Sequence, residues 1–231
     1  MVKIWIFTFF TGNKEANIRL IYYKNQKIQG NTSVNNTCFL VLSAGEWKDN
    51  AVSNMQISAQ LSKENSVIYV ETPGRRFPKL SEYKRLLHRL KRIFISPQSK
   101  LEGLDPINAI IFSPFAIPNH NYWIFRKINS FLLGYQLRKL LKKYDFNNFH
   151  VWVFSPYWVD VIQKLTYKKL IFHCVDALHT YDSSASFKKN LQHLTICADV
   201  IFTPNQLIYD DLSKDSDRVF KIGHGVSKEN L

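Results

Sequence analysis

The chain has 231 residues, of which 45% are hydrophobic and 14% aromatic, enough apolar side chains to bury a core and too many for a disordered polymer. Thirty-one Lys and Arg against 18 Asp and Glu leave a formal charge of +13, which calls for an anionic partner such as nucleic acid, a phosphorylated substrate or a membrane face. Cys38, Cys174 and Cys197 lack CxxC spacing, which argues against a disulfide framework and a zinc knuckle, and no apolar run reaches the roughly 18 residues of a bilayer-spanning helix. A reduced, cytoplasmic protein fits these features best.

Residues 1–36 read as an appendage, either an edge strand or a disordered arm. An apolar opening, MVKIWIFTFF, leads into a basic middle at Arg19 to Lys27 and then the polar run GNTSVNNT. No small-residue cleavage pattern follows the opening, so it does not read as a signal peptide, and the sequons at Asn31 and Asn35 read as incidental. From 37 to 231 the pattern is that of one domain.

CFLVLS (38–43) is a continuous apolar run that ends near Gly45, as a parallel strand with both faces covered would. Val52, Met55, Ile57, Ala59 and Leu61 follow on a stretch of helical length closed by Asn65. SVIYVE (66–71) is a second strand, stopped by Thr72-Pro73-Gly74. A basic segment comes next, with Lys79, Arg85, Arg89 and Arg92 around Leu86, Leu87 and Leu90, and its spacing predicts an amphipathic helix.

INAIIFSP (107–114) is a third strand. Residues 123–143 have helical periodicity, with Ile124, Ile128, Phe131, Leu132, Tyr135, Leu137, Leu140 and Leu141 expected on one broad apolar face. HVWVFSP (150–156), KLIFHCVD (169–176), DVIFTP (199–204) and RVFKIGHG (218–225) are further strands, separated by helices at 159–165, 183–197 and 205–213. Such alternation predicts an α/β fold, a Rossmann-like, doubly wound, mostly parallel sheet. Ligands of such sheets bind at the carboxyl ends of the strands, where the strand order reverses.

Several chemistries lack their signatures. No GxGxxG follows the first strand and no GxxxxGK[ST] occurs, so dinucleotide and P-loop phosphate cradles are missing; HExxH and GxSxG are missing too. The candidates are therefore strand-end residues. Asp176 leaves an apolar strand and must find a partner or face a cleft, so it reads as an acceptor contact or base, or as a cap for the next loop. His173 reads as a core histidine. Gly45 ends the first strand, where Ser43-Ala44-Gly45 would allow a close backbone approach, although an ordinary turn accounts for it equally. Trp47 reads as a pocket wall or as packing. Asn205 opens a helix as an N-cap or as part of an anion-binding turn. Arg75 and Arg76 could hold a phosphate in bidentate fashion or be surface charge.

In order and spacing, Glu46-Trp47, SVIYVETPGRR (66–76), FSPFAIP (112–118), WVFSPYWVDVI (152–162), LIFHCVDALHTY (170–181) and ADVIFTPNQLIYDDL (198–212) running into IGHGV (222–226) resemble the N-terminal, acceptor-side half of GT-B glycosyltransferases of the family 4 type. His224 and Ser227 stand where that family usually has Asn and Asp. The resemblance implies transfer of a sugar, of the hexosyltransferase type, from a nucleotide-sugar to an acceptor hydroxyl in cell-surface polysaccharide or glycolipid synthesis. Asp176 would assist the acceptor oxygen, and Gly45, Glu46, Trp47, Arg75, His179 and Asn205 would line the acceptor side.

The donor-binding domain is expected to be absent from this chain, so a separate donor-binding domain is an expected partner and the isolated chain is expected to be inactive. The alternative is a truncated or split product that binds acceptor, partner or membrane without turnover. Neither a cofactor nor a metal is implied. The acceptor would be a saccharide or lipid-linked, and the basic stretches at 79–92 and 138–143 would hold the protein against an anionic inner membrane face. Nucleic acid is not an expected partner, since only the charge points to it.

Overall fold

In the computed structural model the described residues are 37–47, 53–73, 109–117, 122–176 and 184–222. The appendage 1–36, the basic helix expected at 79–92, and Arg75, Arg76, His179 and Tyr181 lie outside them. So does the end of the chain from 223 onward.

Seven strands form one sheet: β1 (Cys38–Leu42), β2 (Ser66–Val70), β3 (Ala109–Phe112), β4 (His150–Val153), β5 (Leu170–His173), β6 (Val200–Thr203) and β7 (Val219–Lys221). Their order is β3-β2-β1-β4-β5-β6-β7, and every neighbouring pair is parallel. β1 is paired on both sides, with Leu40 opposite Ile68 on β2 and Val151 on β4. Its side chains alternate into a core on each face, Leu40 and Leu42 on one and Phe39 and Val41 on the other, which explains why CFLVL is unbroken by polar residues.

Among the described residues, five helices cover the sheet: α1 (Ser53–Leu61), α2 (Trp123–Lys143), α3 (Val159–Ile162), α4 (Ala185–Cys197) and α5 (Gln206–Leu212), with a 3-10 turn over Pro156–Trp158 leading into α3. Strand side chains alternate between two cores. Leu40, Leu42, Ile68, Val70, Val151, Val153 and Phe172 pack against Leu133, Leu137 and Leu141 of α2, Ile162 of α3, Leu194 of α4 and Ile208 of α5. Phe39, Val41, Val67, Tyr69, Ile111, Trp152 and Phe154 form the other core with Trp47 and with Met55 of α1. Helices on both faces of one parallel sheet make the fold the α/β, Rossmann-like, doubly wound type.

Local chemistry sets the helix ends. The Ser184 hydroxyl accepts from the Phe187 amide at 3.3 Å and caps α4, and the Asn205 side-chain oxygen accepts from the Leu207 amide at 2.8 Å and caps α5. The Asn65 side-chain amide donates to the Leu61 carbonyl at 3.0 Å and closes α1. Beyond α2, Asp145 and Asn148 take positive φ values of 49° and 54°, which short polar side chains tolerate better than bulky ones.

One expectation is corrected within α2. Leu137 and Leu141 face the sheet as expected, but Ile124, Ile128, Phe131 and Tyr135 point to solvent, and the buried side is completed by Leu133 with the small or polar Asn129, Ser130 and Gly134. The reason is geometric: at about 100° per residue, Ile124, Ile128, Phe131 and Tyr135 fall on a different side of the helix from Leu133, Leu137 and Leu141, so one face cannot hold both sets. Asn129 is satisfied there: its side chain donates to the Ile117 carbonyl at 2.8 Å and accepts from the Ile117 amide at 2.7 Å.

Candidate functional site

Because all strands run the same way, their carboxyl ends gather on one rim. The helix connections part at β1 and β4, where the strand order reverses, and crevices for ligands open at such points. Gly45 follows β1 and Asp176 follows β5, so the two principal candidates share this rim.

The rim is tied together around β1 and β2. Ser43 donates its amide to the Val70 carbonyl at 3.0 Å and its hydroxyl to the Gly45 carbonyl at 2.5 Å, while the Thr72 amide donates to that same Gly45 carbonyl at 3.1 Å. A Cβ placed on Gly45 meets nothing within 4 Å among the described residues. Among the described residues, therefore, packing does not demand glycine there, and the space over it is open.

Glu71 is the rim residue whose chemistry the sequence reading passed over. It is 1% exposed; one carboxylate oxygen accepts from the Trp47 amide at 2.7 Å, and the other accepts from the Ser113 hydroxyl. A carboxylate buried this far from water is tolerated only when hydrogen bonds replace hydration, and these two bonds join the turns after β1, β2 and β3. The signal was present as an acid at the end of an apolar strand, the same argument that singled out Asp176.

Trp47 sits 3% exposed in the second core, edge-on to Tyr69 with ring centroids 4.7 Å apart. Its side chain is packing, the second of its two readings, while its backbone amide serves the rim. Burial pushes the Tyr69 phenol above its ordinary range, with the Ser43 hydroxyl opposing and the Glu71 carboxylate adding to the rise. Glu46, half-buried, lies between Gly45 and Trp47 on the same turn.

On the β4 side of the rim, the Trp158 indole donates to the Ser43 carbonyl at 2.8 Å, and Asn190 of α4 donates to the Pro156 carbonyl at 3.1 Å. Asp176 is exposed, and its carbonyl accepts from the Cys174 thiol at 3.5 Å. Ser184 caps α4, and the loop that Asp176 would cap, 177–183, lies outside the described residues. Burial first, then the charges of Asp176 and Asp211, push the Cys174 thiol up to about 12. His173 is a core histidine as expected, 4% exposed and stacked on Phe154 at 5.0 Å between centroids, with Trp152 and Phe202 nearby.

Asn205 spends its side-chain oxygen on the α5 cap, so the plain capping reading describes it. The rim thus carries Gly45, Glu46, Glu71, Asp176 and Asn205 at the ends of β1, β2, β5 and β6, with β4 between β1 and β5, and Trp47 is turned inward. Arg75 and His179 lie outside the described residues. Among the described residues, no three His, Cys, Asp or Glu side chains stand close enough together to hold a metal ion. Among the described residues, the rim offers a set of hydrogen-bonding groups, one exposed carboxylate at Asp176 and an open space over Gly45. The chain matches no known family model, and no curated protein matches it significantly.

Proposed function

We propose that this chain is the acceptor-side half of a sugar-transfer enzyme, holding a saccharide or lipid-linked acceptor on the rim while a nucleotide-sugar-binding domain presents the donor. The observation that carries the reading is the exposed carboxylate of Asp176 on the same rim as the open Gly45 turn, in a parallel sheet whose order reverses between β1 and β4. Sugar transfer needs an acceptor oxygen oriented and relieved of its proton, and a strand-end carboxylate in water-accessible surroundings is chemically fit for both. The order of the strand-end motifs along the chain supports the same reading.

In this mechanism Asp176 accepts a hydrogen bond from the attacking hydroxyl. Glu71 acts one step back, tying the Gly45 turn to the turns after β2 and β3 through the Trp47 amide and Ser113. The acceptor would belong to cell-surface polysaccharide or glycolipid synthesis, with the protein resting on the inner face of the membrane.

The test is binding of the chain to a panel of free and lipid-linked saccharides, followed by nuclear magnetic resonance saturation transfer. Binding of at least one saccharide is expected, weakened about tenfold or more in Asp176→Ala, in line with loss of a charge-assisted hydrogen bond. Absence of binding across the panel, or binding indifferent to Asp176, overturns the reading.

A further inference from the structure

We propose that the outward face of α2 is a docking surface for an anionic lipid bilayer. The side of the helix away from the sheet is wetted and yet apolar: Trp123 is 65% exposed, Tyr135 60%, Phe131 58%, Ile124 49% and Ile128 43%. Ile124, Ile128, Phe131 and Tyr135 succeed one another at intervals of four, three and four residues, so they form one continuous stripe. Scattered exposed apolar residues are ordinary, whereas a stripe of this length on one helix marks a contact surface.

Charge identifies what covers it. α2 carries Arg126, Lys127, Arg138, Lys139, Lys142 and Lys143 and no acid. At about 100° per residue, Lys127 and Arg138 fall on one flank of the stripe and Lys139 and Lys143 on the other, with Lys142 in line at its end. An apolar stripe between two basic rows fits the boundary of a bilayer, where rings and aliphatic side chains enter the acyl region and long cationic side chains reach back to phosphates. Tyr122 and Trp123, both exposed, stand at the start of the helix, and such amphipathic rings favour headgroup depth.

Next to Trp123 lies a shallow groove of about 210 Å³, where Arg126, Lys127 and Lys164 face one acid, Asp160. Its excess of positive charge suits the phosphate of a lipid headgroup. Lys164 also holds its ammonium 4.1 Å from the centroid of the Phe131 ring, which joins the groove to the stripe.

This surface gives a location to the membrane association contained in the proposed function and rests on that part of it. Sedimentation of the full chain with vesicles tests it, comparing phosphatidylcholine alone with phosphatidylcholine containing about 30% phosphatidylglycerol; at ~1 kcal/mol per contacting Lys or Arg, the anionic vesicles should bind about tenfold more strongly or better. The paired variants Ile128→Asp with Phe131→Asp, and Lys139→Glu with Lys143→Glu, should each lose about tenfold while circular dichroism and melting stay unchanged, since all four side chains are exposed. The milder Phe131→Ser, with a loss of several-fold, serves if a paired variant unfolds.

Equal binding of wild type and stripe variants, or no binding by the wild type, overturns the proposal. A lipid-free dimer that the stripe variant converts to monomer overturns it too, by assigning the face to a second copy of the chain. Saccharide binding is read separately: vesicle binding without saccharide binding keeps this surface and removes the sugar-transfer reading, and the converse result does the reverse.

Discussion

Trp158 and Ser43 are 115 residues apart in sequence, and the indole nitrogen of one donates to the backbone carbonyl of the other at 2.8 Å across the place where the strand order reverses. Trp158 is 2% exposed, so the bond is made out of water. It locks the turn after β1 to the turn after β4, the two strands at which the order reverses.

Replacing Trp158 by Phe keeps most of the apolar contact and removes this donor. The expected loss is about 1–3 kcal/mol for a buried carbonyl deprived of a partner, against about 3–5 kcal/mol for Trp158→Ala, where a cavity is added. Urea denaturation of the two variants measures both. Equal losses would show that volume alone matters at this position.

Glu71 makes a second prediction. Glu71→Gln retains an oxygen for the Trp47 amide and should cost less than about 1 kcal/mol. Glu71→Leu strands that amide and the Ser113 hydroxyl and should cost about 1–3 kcal/mol. Should Gln destabilise as much as Leu in chemical denaturation, the negative charge rather than the hydrogen-bond geometry would be what the rim requires.

Asp199 supplies a pH dependence. Partial burial raises its pKa, but the Lys169 ammonium at 2.7 Å, the Leu170 amide at 2.8 Å and the nearby Arg218 outweigh this, and the net shift is downward. A carboxylate with a lowered folded-state pKa stabilises the fold above its ordinary range, and that contribution is lost as pH falls through the lowered value. Asp199→Asn should therefore be less stable than wild type at neutral pH, and the difference should shrink on acidification below about pH 4. Melting temperatures of the pair across that range decide it. A difference that does not vary with pH would contradict the assignment.

The three cysteines should differ in reactivity. Cys174 is buried with its thiol pushed up to about 12, Cys38 is half-buried and raised by burial against the opposing charge of Lys168, and Cys197 is exposed. Alkylation requires thiolate and access. Iodoacetamide on the native chain, read by peptide mass spectrometry, should label Cys197 first, Cys38 more slowly and Cys174 only after unfolding. Early labelling of Cys174 would mean that the β5 end opens in solution.

Much of the architecture was readable from periodicity alone. All seven apolar runs from Cys38 onward became strands of one parallel sheet, and the helix read at 123–143 has those bounds in the structure. Strands covered on both faces leave unbroken apolar runs, which is why they showed. The orientation of α2 did not show, because its apolar residues outnumber what one face holds, and packing of Leu133, Leu137 and Leu141 in the core under the sheet selects which of them turn inward.

Within the site, Gly45 and Asp176 were legible as strand-end residues that the parallel order brings to one rim, and Asn205 as a cap. Trp47 presents the opposite case. Whether an aromatic after a strand lines a pocket or fills a core depends on the partner it meets, here Tyr69, and that pairing is invisible in the local sequence. Glu71 carried a signal, an acid that ends an apolar strand, but its task was hidden, since its partners Trp47 and Ser113 lie 24 and 42 residues away.

The central claim is that the rim between Gly45 and Asp176 receives a saccharide, and amide chemical-shift mapping during titration with a bound glycan tests it most directly. The account predicts shifts at Ala44, Gly45 and Asp176 that saturate together and vanish in Gly45→Val, whose added side chain fills the open space while the fold persists. Shifts confined to the opposite edge, around Asn65, Asn147 and Lys168, or an unchanged response in Gly45→Val, would contradict it.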